Sequence, residues 1–155
     1  MSDEEDYDRA NDDPIEAARD ARVPVVLFPE HNELFIDIDT PEDLAVFWKQ
    51  ITIFARRETF TVDIRPSRRR DGRHILVRLG RSLVSEEERL MLQAMLGSDR
   101  ARELLCLHRI RSPHDRVTCF FENGEPEEHC APPADWNGME TFQPAVKTWR
   151  EHFGV

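Results

Sequence analysis

Apolar positions along the chain change period several times, and each change marks an element. In Leu34-Phe35-Ile36-Asp37-Ile38-Asp39 the alternation has period two. Side chains of a strand alternate between its faces, so Leu34, Ile36 and Ile38 face a core while Asp37 and Asp39 point the other way. Thr40-Pro41-Glu42-Asp43 reads as a helix start, with a capping hydroxyl, proline at the first helical position and acids in the first turn. Leu44, Phe47, Trp48, Ile51, Phe54 and Ala55 then recur at helical spacing and predict one wide apolar face. Thr59 to Ile64 and Arg73 to Leu79 predict two strands of a hairpin joined by a basic loop. In the second of these, Ile75, Val77 and Leu79 share one face, as does Arg73. His74, Leu76 and Arg78 share the other.

Ser85 followed by Glu88 matches a capping box, and Leu90, Met91, Ala94 and Met95 extend a helix that Gly97 stops in a left-handed turn. Ser98-Asp99 opens another helix carrying Ala101, Leu104, Leu105 and His108. Val117 to Phe121 predicts a strand, residues 122–138 a loop, and Phe142 or Pro144 to His152 a last helix with Val146, Trp149 and Phe153 on the core. Upstream, Val23 to Phe28, interrupted by Pro24, predicts an edge strand that turns at Pro29–Asn32 into a hairpin with Leu34–Asp39. The order β-β-α-β-β-α-α-β-loop-α points to an α+β fold, a mixed or antiparallel sheet with helices on one face.

Composition adds boundaries. The 155 residues suit one domain with a real core, at 39% apolar and 34% charged content. Residues 1–22 are acidic and poor in large apolar side chains, so they are expected to be a disordered tail apart from a short helix after Pro14; residues 23–155 form the domain. No apolar run is long enough to span a bilayer, and the acidic start fits neither a secretory signal nor a transit peptide. Three cysteines, an odd number, suit a reducing compartment, and the expected location is the cytoplasm.

Net charge is −10, which by itself argues against a nucleic-acid partner. The distribution reverses that. Acids crowd the stretch from Ser2 to Asp20, whereas arginines dominate from Arg56 to Arg81, against only Glu58, Asp63 and Asp71. A phosphate chain meets the local field, so a basic stripe can serve an acidic protein.

Three stretches carry candidate chemistry. Asp37 and Asp39 are poor sheet formers at a strand end, and a divalent cation, a salt bridge or solvent could compensate them. Ser67-Arg68-Arg69-Arg70-Asp71-Gly72-Arg73-His74 places Ser, Gly and His before an apolar strand. Leu96-Gly97-Ser98-Asp99 is followed by Arg100, Arg102, Arg109 and Arg111, and Asp99 could equally be a helix cap. A further group, Cys106, His108, His114, Cys119, His129 and Cys130, has zinc-type side chains, but its spacings match no common finger and argue against structural zinc. There is no Gly-rich phosphate loop and no nucleophile elbow.

In these three stretches the chain resembles the catalytic core of the archaeo-eukaryotic primase superfamily, the primase-polymerases, in a minimal or viral-type form. Asp37 and Asp39 match its first motif, Ser67 and His74 its second, and Asp99 is the candidate for its third. The resemblance covers about Leu34 to Arg111. It implies an RRM-like core and a nucleotidyltransferase that uses Mg²⁺ or Mn²⁺ in a two-metal site held by Asp37, Asp39 and Asp99. It implies nucleoside triphosphates and single-stranded nucleic acid as partners. His74 would contact triphosphate, helped by Ser67, with Arg70, Arg73, Arg78 and Arg109 as further candidates to grip phosphate. On a regular strand Arg73 and His74 face opposite ways, so both cannot serve one ligand. The roughly 45 residues after Arg111 and the acidic start depart from the family pattern. Two alternatives therefore stand beside the enzyme. One is an inactive primase-fold protein that binds nucleic acid or assists replication. The other is an acidic interaction or DNA-mimic protein, its tail docking on a replication partner.

Overall fold

The computed structural model describes residues 13–112, 116–124 and 142–155. In chain order the elements are α1 (Pro14–Asp20), β1 (Val25–Leu27), β2 (Glu33–Ile38), α2 (Pro41–Phe54), β3 (Phe60–Pro66), β4 (Arg73–Leu79), α3 (Glu86–Met95), α4 (Arg100–Arg111), β5 (Phe120–Glu122), β6 (Ala145–Lys147) and α5 (Trp149–Phe153). The fold is α+β. Its strands form two three-stranded sheets, β2-β4-β3 and β5-β1-β6. The first is antiparallel throughout; in the second β1 runs antiparallel to β5 and parallel to β6. Among the described residues no helix is long and apolar enough to cross a membrane.

The expected alternation in β2 and β4 builds the main core. Leu34, Ile36 and Ile38 join Ile75, Val77 and Leu79 on one face, covered by Phe47, Ile51 and Phe54 of α2 and by Leu92 and Leu96 of the α3 end. The opposite face is also buried, because Phe35 and Leu76 pack on Val25, Leu27, Phe120 and Trp149 of the second sheet and α5. Helices on a single face were the expectation. A second sheet instead fills the other side, and Phe35 and Leu76 are the apolar side chains that require it. Beyond it, Ala18 of α1 packs with Val23 and Val26 in a small outer core. The helix expected after Pro14 is therefore present, capped by Asp13, and the acidic N-terminal stretch joins the fold from there. Residues 1–12 lie outside the described residues.

One structural demand explains the turn of two helices. β2 is an edge strand, so the N–H and C=O groups of its odd residues face away from β4 and need partners. Among the described residues no further strand supplies them; side chains and backbone from α3, α4 and their junction do. Arg89 Nε donates to Glu33 O at 2.9 Å. Gln93 Oε1 accepts from Phe35 N at 2.8 Å, and Arg102 Nη1 donates to Phe35 O at 2.6 Å. Ser98 Oγ accepts from Asp37 N at 3.0 Å, and Asp99 N donates to Asp37 O at 2.7 Å. Polar faces thus turn inward: Arg89, Gln93, Glu103 and Arg109 are buried. The expected apolar faces of both helices turn out instead, leaving Met91, Met95 and Leu104 exposed, and on α2 Trp48 is exposed as well.

Three other expectations change. β1 does not form a hairpin with β2 and is no edge strand; it is the centre of the second sheet, held on both sides by β5 and β6. The last helix is shorter than expected, because Ala145–Lys147 forms β6 and the helix starts at Trp149 after the Thr148 cap. Ser85 caps α3, but Glu88 accepts from Val84 N rather than from the cap residue itself.

Candidate active site

The site sits where β2 ends. Asp37 lies opposite His74 of β4 in the register, so their side chains emerge side by side on one face. His74 Nε2 is 3.7 Å from Asp37 Oδ1. Its other nitrogen, Nδ1, bonds to the buried Glu122 carboxylate on β5. The ring stacks on Phe120 at 3.9 Å between centroids. His74 is thus clamped on three sides, with Glu122 fixing which nitrogen faces Asp37. Glu122 was read from the sequence as the start of a loop. Its only signal was one acid after an apolar run, and the pairing with His74 depends on the second sheet.

Asp39 follows the last residue of β2. Its carboxyl is raised above the ordinary 3.8 by burial first, then by the Asp37 and Asp99 charges and a hydrogen bond with Asp99, while Arg69 opposes the shift. Arg69 Nη1 lies 3.1 Å from Asp39 Oδ2. Asp99 caps α4 and also lies beside Asp39. Its Oδ2 accepts from Arg102 N at 3.0 Å as the cap of α4, and its carboxyl also meets Asp39. Its backbone bond to Asp37 O pins the helix start to the strand end, and this is how residues 60 positions apart come together.

Ser67 and Gly72 close the basic loop. Ser67 N donates to Gly72 O at 3.1 Å, and Ser67 Oγ accepts from Arg69 N at 3.2 Å. A Cβ on Gly72 would run into Ser67 Oγ and stand 3.2 Å from Ile38 O. The Ser-x-x-x-x-Gly spacing therefore has a steric reason, since the loop folds its serine onto a residue that must lack a side chain.

A cleft of about 340 Å³ opens here, lined by Asp37, Asp39, Ser67, His74 and Arg109 together with Arg68, Arg69, Arg102 and Phe120. Of the candidate phosphate ligands, Arg109 reaches the cleft, although it is buried and donates to Val117 O at 3.0 Å. Arg70, Arg73 and Arg78 do not line it. Arg70 is exposed on the loop. Arg73 donates to Gly72 O from the opposite face to His74. Arg78 is drawn off by Glu33 at 3.0 Å and by the Val155 carbonyl. Arg68, Arg69 and Arg102 are the arginines that the fold puts in their place. Arg102 bridges Phe35 O, Ser98, Glu103 and Cys119 O, and it lies over the Phe120 ring.

Among the described residues no three His, Cys, Asp or Glu side chains converge closely enough, as they stand, to hold a metal ion. Asp37, Asp39 and Asp99 offer oxygen donors only, the set that suits Mg²⁺ or Mn²⁺ rather than zinc. Burial and the Asp37 and Asp99 charges disfavour the ionised form of Asp39, and Arg69 supplies a counter-charge. Cys106 is pushed up to about 11 and Cys119 is also raised, both by burial, so both stay thiols. His114, His129 and Cys130 lie outside the described residues.

Comparison of the chain with protein-family models, with curated proteins and with solved structures finds no match.

Proposed function

We propose that this chain is a metal-dependent nucleotidyltransferase of the primase-polymerase type, joining nucleotides on a single-stranded template. The observation that supports the reading is that Asp37 and Asp39 share one cleft with His74 and the Ser67 loop, with Asp99 lying against Asp39 from the start of α4. Asp37 and Asp39 would hold the ion, with Asp99 contributing through Asp39. Bound there, Mg²⁺ or Mn²⁺ supplies charge stabilisation for the attacking and leaving oxygens of phosphoryl transfer. His74, with Nε2 toward Asp37 and Glu122 behind it, would contact a triphosphate oxygen. Arg68 and Arg69 are loop guanidiniums able to pair with phosphate once Arg69 leaves Asp39. Phe120 and Arg102 hold the His74 wall rigid.

A second reading keeps the cleft and drops the chemistry: a nucleic-acid-binding protein of the same fold. It is favoured by the Arg69–Asp39 pair, because Arg69 already supplies a counter-charge to Asp39. One pair of measurements separates the two. The enzyme requires Mn²⁺ binding and nucleotide incorporation on a poly-pyrimidine template, both lost in Asp37→Ala plus Asp39→Ala. Incorporation that survives the double variant removes the metal mechanism. Salt-sensitive oligonucleotide binding without incorporation, abolished by neutralising Arg68, Arg69 and Arg70, selects the binding protein.

A further inference from the structure

The basic loop between β3 and β4 is held in its backbone and loose at one side chain. Ser67 Oγ accepts from Arg69 N at 3.2 Å and donates to Arg69 O at 3.3 Å, and Gly72 N donates to the same carbonyl at 3.1 Å. The main chain of Arg69 is thus fixed at both its N–H and its carbonyl. Its side chain is 76% exposed and reaches across to Asp39, 23% exposed, at 3.1 Å. In the cleft Asp37 and Asp39 face four arginines, Arg68, Arg69, Arg102 and Arg109. Arg102 is committed to Phe35 O, Ser98, Glu103 and Cys119 O. Arg109 is buried and donates to Val117 O, and Arg68 donates to the Asn123 side-chain oxygen. Arg69 is paired with a cleft acid, and being largely in solvent already it can leave without exposing buried surface.

An exposed ion pair of this kind favours contact by no more than about fivefold. That biases Asp39 yet leaves the pair open to competition from both sides. Phosphate competes for the guanidinium, because it accepts two parallel N–H bonds and can carry more charge than a carboxylate. A divalent cation competes for Asp39. Both cations cannot share it, since a guanidinium and a divalent ion about 4 Å apart disfavour joint occupancy by more than about tenfold even in water. Taking Asp39 as the metal ligand proposed above, we infer that Arg69 is an internal counter-ion that gates the site: it covers Asp39 in the free chain and moves to a phosphate oxygen when a nucleoside triphosphate enters, leaving Asp39 open to the cation. Triphosphate and cation then bind with positive coupling, and by linkage each strengthens the other by the same factor. A triphosphate fits better than a strand, because Arg69 meets Asp39 in a cleft of about 340 Å³, room for one small molecule.

Two titrations of the full chain read the two ends of the gate. In the first, Mn²⁺ alone is added and the free ion is followed by electron paramagnetic resonance. Arg69→Gln is expected to bind Mn²⁺ about three- to tenfold more tightly than the natural chain, because the competing cation is gone. Arg70→Gln, an equal loss of charge on the same loop but outside the cleft, is expected to change the affinity by less than about twofold. In the second, inorganic triphosphate is titrated calorimetrically in metal-free buffer. Asp39→Asn is expected to bind it about two- to fivefold more tightly by releasing Arg69, and that gain is expected to vanish when Arg69→Gln is added. Equal Mn²⁺ affinity in the natural and Arg69→Gln chains, or equal gains from Arg69→Gln and Arg70→Gln, overturns the gate and leaves the metal site standing. A triphosphate gain that survives the loss of Arg69 overturns the transfer of Arg69 to phosphate. A gain seen with an oligothymidylate strand and not with triphosphate overturns the choice of ligand. Mn²⁺ binding absent from every chain overturns the metal reading itself, and the gate with it.

Discussion

Asp39→Asn separates a metal site from an ordinary polar strand end, because it should move stability in opposite directions with and without a divalent ion. In the folded chain Asp39 is held above its ordinary 3.8 by burial and by the Asp37 and Asp99 carboxylates. The folded state therefore binds this proton more tightly than the unfolded state does. Stability falls as pH rises from 3.8 through the raised value, and the whole penalty persists at pH 7. Asn keeps the shape and removes the charge, at the expense of the exposed Arg69 pair, which is worth about 0–1 kcal/mol. Relief of the acidic cluster outweighs that, and without metal the variant should be about 0.5–1 kcal/mol more stable at pH 7, within the range of surface-charge optimisation. For a domain of this size that is about 1–4 °C in Tm. The natural chain should respond the other way to Mn²⁺. At one hundred times its Kd, a ligand of the folded state adds about 2.7 kcal/mol, or about 5–10 °C. Asp39→Asn should lose most of that gain, and in the natural chain the gain should shrink as pH falls into the window where Asp39 protonates. Differential scanning fluorimetry at pH 7 and pH 5, with and without Mn²⁺, reads all four conditions. A variant that is less stable without metal, or a Mn²⁺ shift equal in both chains, would refute the reading of Asp39 as a strained metal ligand.

Gln93→Leu should cost about 3–5 kcal/mol in urea unfolding at unchanged m-value, since it strands the buried Phe35 N–H and removes a donor from the Glu103 carboxylate; a loss below about 1 kcal/mol would show that the edge of β2 does not depend on α3. Gly72→Ala should cost about 1–3 kcal/mol by pushing Ser67 out of its place, and it should weaken oligonucleotide binding, measured by anisotropy, more than Asp71→Ala does. Glu122→Gln should change the ¹⁵N shifts of the His74 ring, because an amide replaces the carboxylate at Nδ1; unchanged shifts would mean that Glu122 does not set the His74 tautomer.

Local chemistry was legible wherever a residue's neighbours in sequence decide its state. Thr40, Ser85 and Asp99 cap helices because their side chains reach the backbone N–H three residues on. Gly97 takes positive φ at the end of α3 for the same local reason. The bounds of β4 and the opposed faces of Arg73 and His74 follow from period two alone. The burial of Leu34, Ile36 and Ile38 was likewise written in the alternation of β2.

Choice of partners was a different matter, because it depends on groups far apart in the chain. Apolar periodicity on α3 and α4 predicted the wrong inward face. It could not register that β2 would be an edge whose odd backbone groups need Arg89, Gln93, Ser98 and Arg102. An unpaired buried amide costs more than an exposed Met or Leu, so the polar side wins the interior. The same holds at the site. Asp37, Asp39, Ser67 and His74 stand out in sequence, but the contact of Asp99 with Asp39 and of Glu122 with His74 arises from a helix start tied to a strand end and from a second sheet folded over the first. Arg70, Arg73 and Arg78 lost their place in the cleft to Arg68, Arg69 and Arg102 on the same principle. A guanidinium's charge is local, whereas the surface it serves is set by what packs around it.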